Sequence, residues 1–214
     1  MKKNLTELVF VLDKSGSMSG LESDTVGGFN SLIKKQREVE GECLVSTVLF
    51  NNKFELIYDR ENIKEIHEMK QSDFTVGGST ALMDALGSAI NHIAKIHKYA
   101  RDEDVPEHTI FVIMTDGMEN ASHMFSDDEV RAMVEHEKEK YNWQFVFLAA
   151  NIDVVETARR YGFDEDSAAP YCCDSQGTQV TYKAINNVVM NLRNDKKINK
   201  SWKKEIEEDL KRRR

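Results

Sequence analysis

Apolar and polar positions along this chain fall into blocks of two kinds. Leu8-Val9-Phe10-Val11-Leu12 is an unbroken apolar run that ends at Asp13, and Ile110-Phe111-Val112-Ile113-Met114 is another that ends at Thr115-Asp116. Runs of this length and continuity predict strands buried on both faces. Further strands are predicted over 44–50, 54–58, 143–150 and 168–172. Asn51-Asn52 reads as the turn of an antiparallel hairpin between the second and third. Helical spacing governs the stretches between. Leu82, Ala85, Leu86, Ala89, Ile90, Ile93 and Ile96 share one face, and Val26, Phe29, Leu32 and Ile33 share another.

Helices are predicted over 19–38, 63–69, 81–96, from 126 onward, 153–161 and 178–192. Ser19 with Glu22, and Ser126 with Glu129, have the spacing of capping boxes. Gly27 and Gly28 sit inside the first helix, at about 1 kcal/mol each against alanine, and suggest close helix–sheet packing. Strands alternating with helices give an α/β, doubly wound, Rossmann-like fold. Its central sheet would have about six mostly parallel strands and one antiparallel edge strand, with helices on both faces. Residues 1–194 are expected to form this domain, and 195–214 a charged helical extension or tail.

With 214 residues there is enough chain for one such domain and its core. The net charge of -8 disfavours nucleic acid as a partner. Residues 195–214 carry a local balance of +4, and Lys211-Arg212-Arg213-Arg214 reads as a solvated terminus. The opening apolar run is too short for a membrane span, and no small-residue cleavage site follows it. The expectation is a cytoplasmic protein. Cys43, Cys172 and Cys173 form neither a disulfide framework nor the spaced pairs of a zinc site, and read as reduced.

Three loops are rich in oxygen donors: Asp13-Lys14-Ser15-Gly16-Ser17, Gly77-Gly78-Ser79-Thr80 and Thr115-Asp116-Gly117. In an extended loop, alternate side chains share a face, so Asp13, Ser15 and Ser17 can converge. A carboxylate with two hydroxyls is a hard-oxygen set, suited to Mg²⁺ or Mn²⁺ rather than zinc or copper. Taken singly, each loop is also ordinary turn and cap chemistry; Thr80 alone reads as an N-cap of the helix after it. If the chain starts at the sheet centre, strands one and four are neighbours, and Asp13 and Asp116 meet at the switch point where such sheets bind ligands.

This constellation resembles the metal-ion-dependent adhesion site (MIDAS) of von Willebrand factor A (vWA) domains, whose motif is D-x-S-x-S with a distant Thr and a distant Asp. Here those positions are Asp13, Ser15, Ser17, Thr80 and Asp116. The resemblance covers about residues 6–192. It implies that Ser15, Ser17 and Thr80 coordinate Mg²⁺ (Mn²⁺ or Ca²⁺ as alternatives) and that Asp13 and Asp116 act through water or hydrogen bonds. Ser79 would assist from behind, and a protein partner's Asp or Glu would complete the octahedron. The resemblance implies an intracellular bacterial or phage member of the family, and steering of a larger machine is one role such members play.

The rival reading is a metal-assisted phosphohydrolase or phosphotransferase with Asp13 as nucleophile. The acid/base position two residues on holds Ser15, which serves that role poorly, and no Walker-type loop is present. Glu119 and His123, in the loop after Asp116, are candidates for partner contact. Met18 and Met124 read as exposed apolar contacts beside the crevice or as packing.

Overall fold

The structure, a computed structural model, describes residues 1–213. Six strands form one sheet: β1 (Lys2–Asp13), β2 (Glu42–Phe50), β3 (Phe54–Asn62), β4 (Pro106–Thr115), β5 (Gln144–Ala149) and β6 (Ala168–Pro170). Their order is β3-β2-β1-β4-β5-β6. All neighbours pair in parallel except β2 and β3, so β3 is the antiparallel edge strand. β1 lies between β2 and β4, where the strand order reverses. The register sets Leu12 opposite Met114 and Asp13 opposite Phe50. Asp13 and Asp116 therefore leave adjacent strands at the same end of the sheet, as their sequence positions predicted.

Side chains of β1 alternate between two cores. Leu8, Phe10 and Leu12 face a core shared with α1 (Glu22–Gln36) and α5 (Ser175–Arg193). Val9 and Val11 face a second core shared with α2 (Leu82–Tyr99), α3 (Asp127–Tyr141) and α4 (Val154–Arg160). Both sets are buried, which is why the run lacks polar alternation. Among the described residues no helix is long and apolar enough to cross a membrane.

Several local expectations are corrected. No helix forms over 63–69; that stretch is turn and irregular chain before a 3₁₀ turn at Gln71–Asp73. Ile63, Ile66 and Met69 are buried, so their spacing reflects anchoring of a loop to the core rather than a helix face. The Ser19–Glu22 box is not formed. α1 begins at Glu22, whose carboxylate accepts from the Gly20 backbone N–H, while Ser19 Oγ donates to the Gly16 carbonyl. The Ser126–Glu129 box is present. Gly28 marks helix–helix contact instead of helix–sheet contact: a Cβ there would lie 2.3 Å from the Tyr182 ring on α5, whereas one at Gly27 would meet nothing within 4 Å. Met18 is not exposed; it is 1% accessible in the first core.

The charged C-terminal stretch turns back onto the sheet edge. A 3₁₀ turn at Lys200–Lys203 leads into α6 (Lys204–Arg212), and Trp202 and Ile206 enter the first core. Lys203 Nζ donates to the carbonyls of Glu165 and Ala168, both at 2.8 Å. Lys211, Arg212 and Arg213 are exposed, as a solvated terminus would be, and Arg213 also pairs with Asp174 and Asp209. Arg214, the last of the basic run, lies outside the described residues.

Candidate metal centre

The first loop begins where β1 ends. Ser15 N–H donates to Asp13 Oδ1 at 2.7 Å, which bends the chain back over the carboxylate. Gly16–Met18 then forms one 3₁₀ turn that brings Ser15 Oγ and Ser17 Oγ to 3.1 Å. Ser17 Oγ donates to Asp116 Oδ1 at 2.6 Å. Lys14, inside the motif, turns away and pairs with Glu55 on β3. The carboxylate of Asp13 is held from the neighbouring strand as well, because Thr115 Oγ1 donates to Asp13 Oδ2 at 2.6 Å.

The glycine-rich loop is pinned to the first by two backbone bonds, Gly16 N–H to Gly78 O at 3.0 Å and Gly77 N–H to Lys14 O at 2.9 Å. Gly78 has φ +80°, and a Cβ there would lie 2.4 Å from Asn52 Oδ1, so both backbone and space favour glycine. Asn51 ties the loop to the β2–β3 turn: its Nδ2 donates to Gly77 O, and its carbonyl accepts from Ala81 N–H. Thr80 is not the N-cap of α2; Ala81 takes that place, with no side-chain cap. Thr80 is instead clamped by Asn120, whose Oδ1 accepts from Thr80 N–H and whose N–H donates to Thr80 O. Its hydroxyl converges with that of Ser17 around Gly117, where a Cβ would stand 3.5 Å from both oxygens. Glycine at 117 keeps that space open. Ser79 is exposed, with no side-chain bond of its own among those described.

Asp13, Ser15, Thr80 and Asp116 are buried, and Ser17 is exposed. Burial pushes the Asp13 carboxyl above its ordinary value; the Thr115 and Ser15 donors oppose that, and the Asp116 charge adds to it. Two carboxylates that share one crevice and act on each other are an arrangement that a cation relieves. Among the described residues no group of three or more His, Cys, Asp or Glu side chains is placed to hold a metal. The donor set here is dominated by hydroxyls, and its chemistry fits a hard divalent ion.

Further residues, some of them passed over in the sequence, shape the crevice. Asp84 on α2 accepts from the backbone N–H groups of His123, Met124 and Phe125 and so holds the far side of the loop after β4. Glu119 does not reach outward: its carboxylate accepts from the N–H groups of Met83, Ala121 and Ser122 and from Ser122 Oγ. His123, Met118 and Met124 are exposed on the same loop. Asn151 Nδ2 donates to the Asp116 carbonyl. Cys173 Sγ donates to Asp116 Oδ2 at 3.4 Å. Burial and Asp116 push that thiol up to about 12. Tyr171, just after β6, is buried beside Cys173, Asp116 and Asp13, and burial raises its hydroxyl well above its ordinary value. Cys43 and Cys173 are not in disulfides.

No family model matches the chain, and no curated protein matches it. Solved structures do. Proximal thread matrix protein 1 from the mussel byssus superposes with a TM-score of 0.59 at 11% identity, over 87% of this chain and 46% of that one. A von Willebrand factor type A from Catenulispora acidiphila gives 0.58 at 12% identity, over 87% and 43%. The vWF domain of the type V pili tip protein Mfa5 from Porphyromonas gingivalis gives 0.63 at 10% identity, over 86% and 94%. The fold is that of a vWA domain. The chain spans less than half the length of the first two structures and nearly all of the third. At this level of identity the likeness to these vWA structures is one of fold. The mussel protein has also been solved with zinc occupying its MIDAS motif.

Proposed function

We propose that this chain is a divalent-cation-dependent protein-binding module of the vWA type. Ser15, Ser17 and Thr80 hold Mg²⁺ through their hydroxyls, and Asp13 and Asp116 hold its bound water and orient the serines. A protein partner's Asp or Glu takes the remaining position. The observation that carries this reading is the continuous line Ser15 Oγ, Ser17 Oγ, Asp116 Oδ1, with steps of 3.1 and 2.6 Å, bridging two loops at the switch point of the sheet.

Oxygen ligands at about 2.1 Å around an octahedral ion stand about 3 Å apart, which the two serine hydroxyls already match. Neutral hydroxyls leave such an ion under-neutralised and receptive to a carboxylate from outside. The body of the protein is acidic, with a net charge of -8, and would repel an acidic partner; the ion inverts that repulsion locally. The zinc in the mussel protein's MIDAS supports a cation at the matching place in this fold. We extend the reading to the intracellular setting that the resemblance implies, and Cys43 and Cys173, neither of them in a disulfide, fit a reducing cytoplasm.

The phosphohydrolase alternative has less support. Both Asp13 oxygens are engaged, one by Ser15 N–H and one by Thr115 Oγ1, and the residue is 1% accessible. A nucleophile needs a free oxygen facing substrate.

The test is binding of matched short peptides, one set with a central Asp or Glu and one with Asn or Gln, in Mg²⁺ and in chelator. Selective capture of acidic peptides only with Mg²⁺, lost in Ser15→Ala, supports the module. Mg²⁺-dependent phosphate release that is lost in Asp13→Asn would replace it with the enzyme reading.

A further inference from the structure

The candidate metal centre occupies one end of the sheet. At the other end β4 begins at Pro106, and Trp143 leads into β5. There the last turns of α2 and α3 border a cavity of about 810 Å³. That is room for a small organic molecule.

The lining falls into two sets. Glu137 and Trp143 are buried and His97 is half-buried, and these form the inner wall. Lys95, Lys98, His136 and Lys140 are exposed at the mouth, where Asp102 is the acid among them. The exposed rings of Tyr99 and Tyr141 flank that mouth.

Glu137 is the feature that calls for a ligand. It is 6% accessible, yet among the described residues none donates a hydrogen bond to its carboxylate, and the charges of His136, His97 and Lys140 act on it only from a distance. The nearby cations are engaged elsewhere. His97 Nε2 faces Glu7 Oε2 at 3.4 Å, and its ring stands edge-on to Trp143, with centroids 5.5 Å apart. The ammonium groups of Lys98 and Lys140 lie over the rings of Tyr99 and Tyr141, at 5.6 and 5.0 Å. Burial pushes the Glu137 carboxyl above its ordinary value against those three charges. A buried carboxylate without a donor is costly, and a bound cationic N–H group removes that cost. The C-terminal ends of α2 and α3 add negative partial charge at the same place.

We propose that this cavity binds a small aromatic molecule with a protonated amine at one end and an anionic group at the other. The amine pairs with Glu137 at the inner wall, the aromatic body packs against Trp143, and the anionic group meets Lys95, Lys98 and Lys140 at the mouth. A ligand without the amine would leave Glu137 unpaired, and one without the anion would meet the lysines unfavourably. The two ends of the cavity together select a zwitterion. The site uses no cation and stands apart from the metal-dependent reading.

Three matched probes separate these contributions. Para-(aminoethyl)benzoate carries both charged ends, phenethylamine the amine alone, and phenylpropanoate the acid alone. The chain has two tryptophans, Trp143 on the cavity and Trp202 in the first core, so their indole N–H signals in nitrogen–proton correlation spectra locate binding. On titration of the full chain, the zwitterion should shift the Trp143 signal saturably and leave that of Trp202 in place. It should bind about tenfold tighter than either singly charged probe, equally in Mg²⁺ and in chelator. Glu137→Gln, close to the native side chain in size, should weaken the zwitterion and phenethylamine by about tenfold and leave phenylpropanoate unchanged. The surface double variant Lys98→Gln, Lys140→Gln should weaken the zwitterion and phenylpropanoate and spare phenethylamine. The same spectra report whether each variant is folded. Absence of a saturable Trp143 shift with the zwitterion, a shift of Trp202 in its place, or phenethylamine binding equal in the wild type and Glu137→Gln would overturn the proposal. So would zwitterion binding equal in the wild type and the lysine variant.

Discussion

Ser17 Oγ donates to Asp116 Oδ1 at 2.6 Å although 99 positions separate the two residues along the chain. The contact exists because β1 and β4 are parallel neighbours with Leu12 opposite Met114, so the loops that follow them must meet. Sheet order, set by apolar runs, thereby decides which polar residues share a crevice.

Removing single hydroxyls should weaken Mg²⁺ binding without unfolding the domain. Ser15→Ala, Ser17→Ala and Thr80→Ala each delete one proposed ligand at the loop ends, outside both cores. A loss of about tenfold in affinity, near 1.4 kcal/mol, is expected for each in a calorimetric titration, with circular dichroism unchanged. Equal affinity in wild type and all three variants would remove these residues from the site.

Asp13 should make the metal-free domain sensitive to pH. Burial holds its carboxyl above the ordinary value, so the folded state binds more protons than the unfolded state between the two values. The stability it contributes is full below its unfolded value, is lost as pH rises through its folded value, and stays lost above that. Asp13→Asn keeps an oxygen for the Ser15 N–H and removes the buried charge. Without metal, its melting temperature relative to wild type should rise with increasing pH across that window and hold at neutrality, while its Mg²⁺ binding falls. A difference independent of pH, measured by scanning calorimetry with chelator, would contradict this.

Asp84 should matter to stability more than its helix position suggests. It accepts three consecutive backbone N–H groups from residues 123–125. Asp84→Ala leaves those donors without their acceptor, at about 3 kcal/mol. Denaturant unfolding measures the loss, and hydrogen exchange should localise it to 119–125.

The adjacent glycines of α1 should respond in opposite directions. Gly28→Ala drives a Cβ into the Tyr182 ring and should destabilise by about 1–3 kcal/mol through overpacking. Gly27→Ala meets open space and should stabilise by up to about 1 kcal/mol through helix propensity. Thermal unfolding of the two variants tests the pair together.

Most of the fold was legible because strand burial and helix spacing leave direct marks. Leu8–Leu12 and Ile110–Met114 could face two cores only as central strands, and the hairpin turn fixed the one antiparallel pairing. The false helix at 63–69 arose because Ile63, Ile66 and Met69 are spaced three apart, as a loop anchored to a core can also be. Within the candidate site, Asp13, Ser15, Ser17, Thr80 and Asp116 lie in loops at one end of the sheet, where strand-end position had placed two of them. The supporting residues left no such mark. Asn120 clamps Thr80 through an amide that any loop might carry, Glu119 turns inward to hold its own loop, and Cys173 reaches Asp116 only once β6 is laid beside β5. Such contacts depend on three-dimensional register, and sequence spacing does not encode them.

Crystals grown with Mn²⁺, measured at its absorption edge, put the metal centre to the most direct trial. The expected result is one strong anomalous peak within about 2.2 Å of the hydroxyl oxygens of Ser15, Ser17 and Thr80, with water or a carboxylate filling the remaining positions. A map with Mn²⁺ bound elsewhere, or with these three hydroxyls bonded only to Asp116 and to one another, would contradict it.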